Sequence, residues 1–184
     1  NLLALPDIDF GVVPLHIIVG ENDYIDDDKI DLTAMQENLS SYKGKTSTSS
    51  PSPHEWENAF GDADVVFCIT ITSSLSGTYN SAVIAKDIYE HNHTGRKVYV
   101  LDSLSTGPEI ALFIEKIAEL IKAGFAPDDI YKTLLEYKDK THLYFSLASL
   151  NNFAKNGRIS PVIAAGIGLL GVRVVGKASD EGKL

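Results

Sequence analysis

The polar residues most suited to binding chemistry lie in residues 70–79, Thr-Ile-Thr-Ser-Ser-Leu-Ser-Gly-Thr-Tyr, which follow an apolar run at 65–69. The pattern predicts a strand that ends in hydroxyls and then opens a helix. Ligands of α/β sheets bind beyond the carboxyl ends of strands, and helix N-termini offer unpaired N–H groups and partial positive charge. Ser76 is placed to cap that helix, and Gly77 would let the backbone approach a ligand closely. The segment therefore suits an anion, although on this pattern alone a capped helix after a glycine-containing loop is the simpler interpretation.

A second hydroxyl-rich segment occupies residues 46–53, Thr-Ser-Thr-Ser-Ser-Pro-Ser-Pro. A residue that precedes proline prefers extended backbone, so Ser50-Pro51 and Ser52-Pro53 predict a stiff, non-helical loop. Such a loop could present several hydroxyl donors to one carboxylate. A solvated linker or a capping turn explains the same composition. The next helix is expected to begin near residues 54–56.

A third candidate is Arg158, in Asn156-Gly157-Arg158-Ile159-Ser160. The guanidinium fork suits an anion or a partner protein, but a solvent-facing turn is an equal alternative. Signatures of catalysis are missing from the sequence: there is no G-x-S-x-G elbow, no phosphate-binding P-loop and no zinc-ligand spacing among the five histidines. The letters of residues 166–171 match G-x-G-x-x-G, but no strand precedes them, and close helix packing explains them better. The sequence predicts neither a metal site nor a catalytic residue.

The elements that would position these residues can be identified from hydrophobic periodicity. Apolar, β-branched runs predict buried strands at 12–19, 65–72 and 97–101, and a helix at 77–91 separates the last two, which is typical of a parallel βαβ unit. Further helices are predicted at 109–123 and 126–137, a strand at 143–147, a helix at 161–170 and a strand at 172–178. The expected fold class is α/β with a Rossmann-like parallel sheet. A change in composition places a domain boundary near residue 140, which gives one domain at 1–139 and part of a second at 140–184.

Composition excludes some classes of partner. The chain has 184 residues and a net charge of −9, with 25 acidic against 16 basic residues. Nucleic-acid binding and permanent docking on anionic lipid headgroups both rely on clustered Lys and Arg, so neither is expected. The single cysteine, Cys68, lies in an apolar run and is predicted to be a small core residue. A reducing, cytoplasmic compartment is compatible with this cysteine usage, and no stretch approaches the roughly 20 apolar residues of a membrane span.

Five motifs together resemble the DegV family of bacterial proteins. They are Val12-Val13-Pro14-Leu15, Thr48-Ser49-Ser50-Pro51-Ser52-Pro53, Ser73-Ser74-Leu75-Ser76-Gly77-Thr78-Tyr79, Leu101-Asp102-Ser103 and Gly157-Arg158-Ile159-Ser160. They occur in the family's order over nearly the whole chain. Their joint occurrence is far more specific than any one of them.

This resemblance implies a two-domain α/β protein with a long-chain fatty acid between its domains. The carboxylate would be bound by hydroxyls of Thr48 or Ser49 and of Ser76, with the amides of Gly77 and Thr78 nearby. Apolar residues at 163–170 would line the tail, and no cofactor is expected besides the bound acid. The protein would itself not be an enzyme but a carrier that presents the acid to a separate ATP-dependent fatty acid kinase, which forms an acyl phosphate. Arg158 would then contact the kinase or the nascent phosphate.

The sequence also departs from the family pattern. The family's first strand, with its Asp-Ser turn, is not found before Asn1, and family chains continue beyond a G-x-L like Gly182-Lys183-Leu184. The chain is therefore expected to be a fragment or a shortened relative that lacks part of the second domain. Two other functions stay open: a hydrolase that uses Ser73, Ser74 or Ser76 as nucleophile, and a non-binding remnant kept for protein contacts.

Overall fold

The computed structural model describes residues 5, 8–147, 154–157, 160 and 174–183 of the chain. The protein has a mixed α/β fold. Its strands are β1 His16–Val19, β2 Asn22–Ile25, β3 Ser47–Ser49, β4 Val65–Thr70, β5 Lys97–Asp102, β6 Tyr144–Leu147 and β7 Val174–Lys177. Its helices are α1 Leu32–Ser41, α2 Pro53–Phe60, α3 Thr78–Asn92, α4 Pro108–Lys122 and α5 Pro127–Lys138.

The predicted parallel βαβ unit is present. Strands β4 and β5 pair in parallel from Val65 opposite Lys97 to Thr70 opposite Asp102, and α3 connects them. β4 ends two residues earlier than predicted, because the chain turns at 71–77 toward α3. The carboxyl ends of both strands consequently lie at one edge of the sheet, beside the start of α3.

Helices cover both faces of this pair of strands, which is the usual arrangement around a buried parallel sheet. One core cluster lies between the sheet and helices α2 and α3; it comprises Trp56, Phe60, Cys68, Ala82, Ala85, Tyr89, Val98 and Val100. The other lies toward α4 and α5 and comprises Leu101, Phe113, Ile117, Leu120, Ile130 and Leu134. Cys68 is a buried core residue, as predicted, and burial raises the pKa of its thiol to about 12, which keeps it protonated and unreactive.

A small antiparallel sheet, in the order β2-β1-β3, precedes this unit. The prediction of a buried strand at 12–19 was wrong for its first half: β1 begins at His16, and Val12 is 72% exposed. Strand β2, helix α1 and strand β3 were not predicted from the sequence. Strands β2 and β3 are polar, and α1 buries none of its residues, so these elements lack the apolar periodicity on which prediction depends.

Strands β6 and β7 form an antiparallel pair, from Tyr144 opposite Lys177 to Leu147 opposite Val174. The segment after β7 returns to the edge of the parallel sheet, where Thr72 Oγ1 donates to the Gly182 carbonyl oxygen at 3.1 Å and Ser74 Oγ donates to that of Glu181 at 2.8 Å. The predicted helix at 161–170 and Arg158 lie outside the described residues, and the domain boundary near residue 140 stays a prediction. None of the helices in the described ranges is long and apolar enough to cross a membrane.

Candidate functional site

The turn between β4 and α3 carries the first group of candidate residues. The helix begins at Thr78 with Gly77 as its N-cap, so the expectation that Ser76 would be the N-cap was wrong by one residue. Ser76 instead folds its hydroxyl back over the first turn: its Oγ accepts the Thr78 N–H at 3.3 Å and lies 2.7 Å from Thr78 Oγ1. Ser76 is half-buried and Thr78 is buried. The two hydroxyls thus form one pair at the start of α3.

The Ser76–Thr78 pair has one hydroxyl hydrogen left over that could bond a ligand. Two hydroxyls separated by 2.7 Å share a single hydrogen bond, so only one of their two hydrogens is used between them. If Thr78 donates, Ser76 Oγ accepts from both the hydroxyl and the amide of Thr78, and the hydrogen of Ser76 is available for an acceptor. A carboxylate oxygen is such an acceptor. The geometry therefore suits an anion that replaces water at Ser76.

The other serines of the turn make structural hydrogen bonds, Ser74 through its hydroxyl and Ser73 through its backbone N–H. Ser74 Oγ bonds the Glu181 carbonyl, and the backbone N–H of Ser73 donates to the Asp102 carboxylate at 3.2 Å. The same carboxylate accepts the N–H of Leu104 at 3.1 Å, so Asp102 joins the loops that follow β4 and β5. No hydrogen bond of the described residues connects the hydroxyls of Ser73, Ser74 or Ser76 to a histidine, lysine or carboxylate. A nucleophile of the serine-hydrolase type would need such a base.

The second group of candidates lies on β3. Thr48 pairs with Ile17 of β1, and Ser49 pairs with His16. Because successive side chains of a strand point to opposite faces, Thr48 and Ser49 cannot both face the same ligand. Both residues are exposed, and Thr48 already takes part in an interaction within the protein. The strand therefore offers one hydroxyl to each face of the small sheet.

The loop after β3 packs against the start of α3. A Cβ atom placed on Gly77 would lie 3.2 Å from Ser50 Oγ, so Ser50 is directly against the Gly77 backbone. One turn into the helix, buried Ser81 donates its hydroxyl to the Pro51 carbonyl oxygen at 2.5 Å. These contacts join the two hydroxyl segments that were separate in the sequence analysis. Neither Ser50 nor Ser81 had been singled out there, since nothing local in the sequence shows that 50–51 and 77–81 meet.

The start of α3 has no acidic side chain to offset its helix dipole. Its N-cap residue, Gly77, has no side chain to cap the helix, whereas the neighbouring α2 is closed by a full capping box. In that box Ser52 accepts the Glu55 N–H, and the Glu55 carboxylate accepts the Ser52 N–H at 2.7 Å. An anion at the start of α3 would interact favourably with the helix dipole.

A charged cluster not foreseen from the sequence lies beside β3. His16 Nδ1 is 2.9 Å from Asp23 Oδ2, and its Nε2 is 3.3 Å from Glu55 Oε1. These two hydrogen bonds, with that to Asp23 the stronger, raise the pKa of His16 above its usual value. The pKa of Glu55 falls to about 2, chiefly because the Ser52 hydroxyl and amide donate to it. The cluster fastens β1 to β2 and to the start of α2.

A cavity of about 410 Å³ lies elsewhere among the described residues. It is lined by the loop after β5, the end of α5 and the β6–β7 pair, including Ser103, Lys138, His142 and Lys177. None of the candidate head-group residues lines it. No group of three or more potential metal ligands occurs in the part of the chain that the structure describes.

Known proteins resemble this chain closely. A DegV domain-containing protein of Streptococcus pneumoniae is 41% identical over 175 residues, which is 95% of this chain and 62% of that protein. A DegV family protein from Eubacterium eligens, solved with heptadecanoic acid, has a TM-score of 0.93 and 40% identity over 98% of this chain and 66% of its own. The Streptococcus pneumoniae Fatty Acid Kinase (Fak) B3 protein, solved with linoleic acid, has a TM-score of 0.90 and 41% identity over 94% of this chain and 61% of its own.

The pneumococcal relative is thus longer, and this chain spans 62% of its length. The family model described as "Uncharacterised protein, DegV family" matches residues 4–184. This match covers nearly all of the chain, including both hydroxyl segments described above. The resemblance expected from the five motifs is confirmed, and the chain belongs to the DegV family.

Proposed function

We propose that the protein binds a long-chain fatty acid and holds its carboxylate at the start of α3. The observation that carries this proposal is the meeting of two hydroxyl segments there, with Ser50 against Gly77 and Ser81 bonded to Pro51. The Eubacterium eligens and pneumococcal neighbours were solved with heptadecanoic and linoleic acid, which supports this class of ligand. The proposed ligands of the carboxylate are Thr48 or Ser49, Ser76, and the amides of Gly77 and Thr78. The Thr78 amide would exchange its 3.3 Å bond to Ser76 Oγ for one to the ligand.

Physical chemistry favours such a site for a fatty acid head group. A carboxylate removed from water is costly unless hydrogen bonds replace its solvation, and hydroxyls at a helix N-terminus provide them. Each methylene of the tail that leaves water contributes roughly 0.8 kcal/mol, so the tail would supply most of the affinity. The head group would fix the orientation of the acid.

We further propose that the protein acts as a carrier and leaves catalysis to a partner. One neighbour is named as the B3 protein of a fatty acid kinase, which supports a separate kinase that converts the bound acid to an acyl phosphate. Within the described residues, the serines of the turn lack a base, which favours a binding role over hydrolysis. Arg158, outside the described residues, remains the proposed contact for the kinase or the phosphate.

Replacing Ser76 with alanine tests the head-group assignment. The change removes one hydrogen bond to a charged group, which is worth about 1–3 kcal/mol, so the Kd for linoleic acid should rise roughly 5- to 150-fold. The measurement is isothermal titration calorimetry on delipidated protein in the full length that its gene encodes. Ser40→Ala is the matched control, because the Ser40 hydroxyl only bonds the Gln36 carbonyl of its own exposed helix. An unchanged Kd in Ser76→Ala would contradict the assignment.

A further inference from the structure

Ser50 occupies the space that the missing side chain of Gly77 leaves. A Cβ on Gly77 would meet Ser50 Oγ at 3.2 Å and Ser50 Cβ at 4.0 Å; apart from its chain neighbours, no other described residue comes within 4 Å of it. Gly77 has φ −73°, a value open to any residue, so backbone conformation does not demand glycine there. The close neighbour of Gly77 is therefore the hydroxyl of Ser50.

The Ser50 hydroxyl has unused capacity for hydrogen bonding. Ser50 is half-buried, and within the described ranges its Oγ has no hydrogen-bond partner. By contrast, Ser74 Oγ bonds Glu181, Ser81 Oγ bonds Pro51, and Ser52 Oγ is part of the α2 cap. Ser50 thus brings an uncommitted donor to the backbone between Ser76 and Thr78.

The residues that follow Ser50 hold it in place. Pro51 is fully buried, and its carbonyl oxygen accepts the 2.5 Å bond from Ser81. Ser52 then begins the capping box of α2, with Glu55 as the reciprocal partner. A donor held in this way loses little additional entropy when it binds a ligand, which increases its contribution to affinity.

We propose that Ser50 is a further head-group residue, which donates a hydroxyl hydrogen bond to the carboxylate bound at Ser76 and thereby selects free acids over uncharged esters. This inference rests on the proposed function, because it assigns a specificity-determining residue to the same site. Ser50 lies against Gly77, and the amide of Gly77 and the hydroxyl of Ser76 are the neighbouring donors. An ester carries no charge, so its carbonyl oxygen would accept hydrogen bonds from these donors more weakly than a carboxylate does.

The first test compares linoleic acid with methyl linoleate. Ser50→Ala keeps the Cβ atom and removes only the hydroxyl, so its Kd for linoleic acid should rise about tenfold, whereas its Kd for the methyl ester should change less than about twofold. Ser40→Ala should alter neither value. Fluorescence of the single tryptophan, Trp56 in α2, and thermal unfolding would establish that each variant is folded.

The second test uses the contact with Gly77. Gly77→Ala leaves the backbone amide in place but should push the Ser50 hydroxyl aside, since the new Cβ would lie 3.2 Å from it. It should weaken linoleic acid binding about as much as Ser50→Ala does. In the double variant the oxygen is gone and the Cβ has room, so the two losses should be clearly less than additive.

Different results would contradict the role of Ser50 and the binding of a fatty acid. Ser50→Ala with wild-type affinity for the acid, while Ser76→Ala binds weakly, would overturn the role of Ser50 alone. Equal losses for acid and ester would also overturn it, because they would show a packing effect. Wild-type protein that binds no linoleic acid would overturn both. Additive losses in the double variant would show that Ser50 and Gly77 act independently, against the inference.

Discussion

At the scale of single residues, the hydroxyls of the turn after β4 are not equivalent. Thr72 and Ser74 donate to the carbonyl oxygens of Gly182 and Glu181, and so hold the C-terminal segment against the sheet edge. Ser76 is paired with Thr78, an arrangement that leaves one hydrogen for a ligand. The hydroxyls of Thr72 and Ser74 thus make structural contacts, whereas the Ser76–Thr78 pair keeps one hydrogen available. Removal of Ser74 is expected to affect the docking of the segment, and removal of Ser76 to affect binding.

His16 is a residue whose charge is expected to affect local stability. Its imidazole lies between the carboxylates of Asp23 on β2 and Glu55 on α2, and Glu55 is also bonded by Ser52. Its folded-state pKa is raised above 6.5, first by the hydrogen bond to Asp23 and then by that to Glu55. The stabilisation is therefore fully present below the unfolded pKa and is lost as the pH rises through the folded value.

Replacing His16 with glutamine should destabilise the protein in a pH-dependent way. The loss in free energy of unfolding should be larger at about pH 5.5, where the imidazolium faces both carboxylates, than at about pH 9, where it is neutral. Urea denaturation followed by Trp56 fluorescence measures this difference. His54→Gln, at an exposed position on α2, is the control and should cost little at either pH. An equal cost of His16→Gln at both pH values would show that the charge contributes nothing.

At the scale of elements, three sets of contacts fix the loop between β3 and α2. Its downstream end is the capping box of Ser52 and Glu55, with Pro53 in the first turn of α2. Its middle is bonded to α3 through Ser81 and Pro51. The antiparallel pairing of β3 with β1 holds the upstream end. A segment whose composition is typical of a linker is consequently held in place beside the start of α3.

Removing the Ser81 hydroxyl should loosen this loop. Ser81→Ala leaves the buried Pro51 carbonyl oxygen without its donor, so the free energy of unfolding should fall by about 1–3 kcal/mol. Binding of linoleic acid should weaken as well, because the hydroxyls of residues 48–50 would lose their position relative to Ser76. Urea denaturation and calorimetric titration of one preparation give both values, with Ser40→Ala as the control. Lower stability with unchanged affinity would refute a positioning role.

At the scale of the whole molecule, the sequence predicted those parts whose signal is local. The βαβ unit, helices α4 and α5 and the buried Cys68 follow from periodicity within about fifteen residues. The small sheet could not be predicted, since β2 and β3 are polar and owe their structure to pairing with β1. The return of the C-terminal segment to Thr72, from 110 residues away, has no local signal at all.

For the candidate site, too, the sequence indicates only those parts that have a local signal. Both hydroxyl segments could be identified from their composition and from the family motifs. Their meeting depends on the contact of Ser50 with Gly77 and on the bond of Ser81 to Pro51, which hold the loop before α2 against the start of α3. Such contacts result from tertiary packing, which residue types and spacing do not specify. Ser50 and Ser81 therefore join Ser76 as positions whose mutation tests the candidate site.

Native mass spectrometry of the freshly purified protein, in the full length that its gene encodes, tests the central claim most directly. The account predicts a complex with one long-chain fatty acid per chain, identified after denaturing extraction, and a reduced occupancy in Ser76→Ala. Ser40→Ala should retain the wild-type occupancy, since its hydroxyl bonds only its own helix. A folded wild-type protein that carries no lipid, and takes up none from added linoleic acid, would contradict the account.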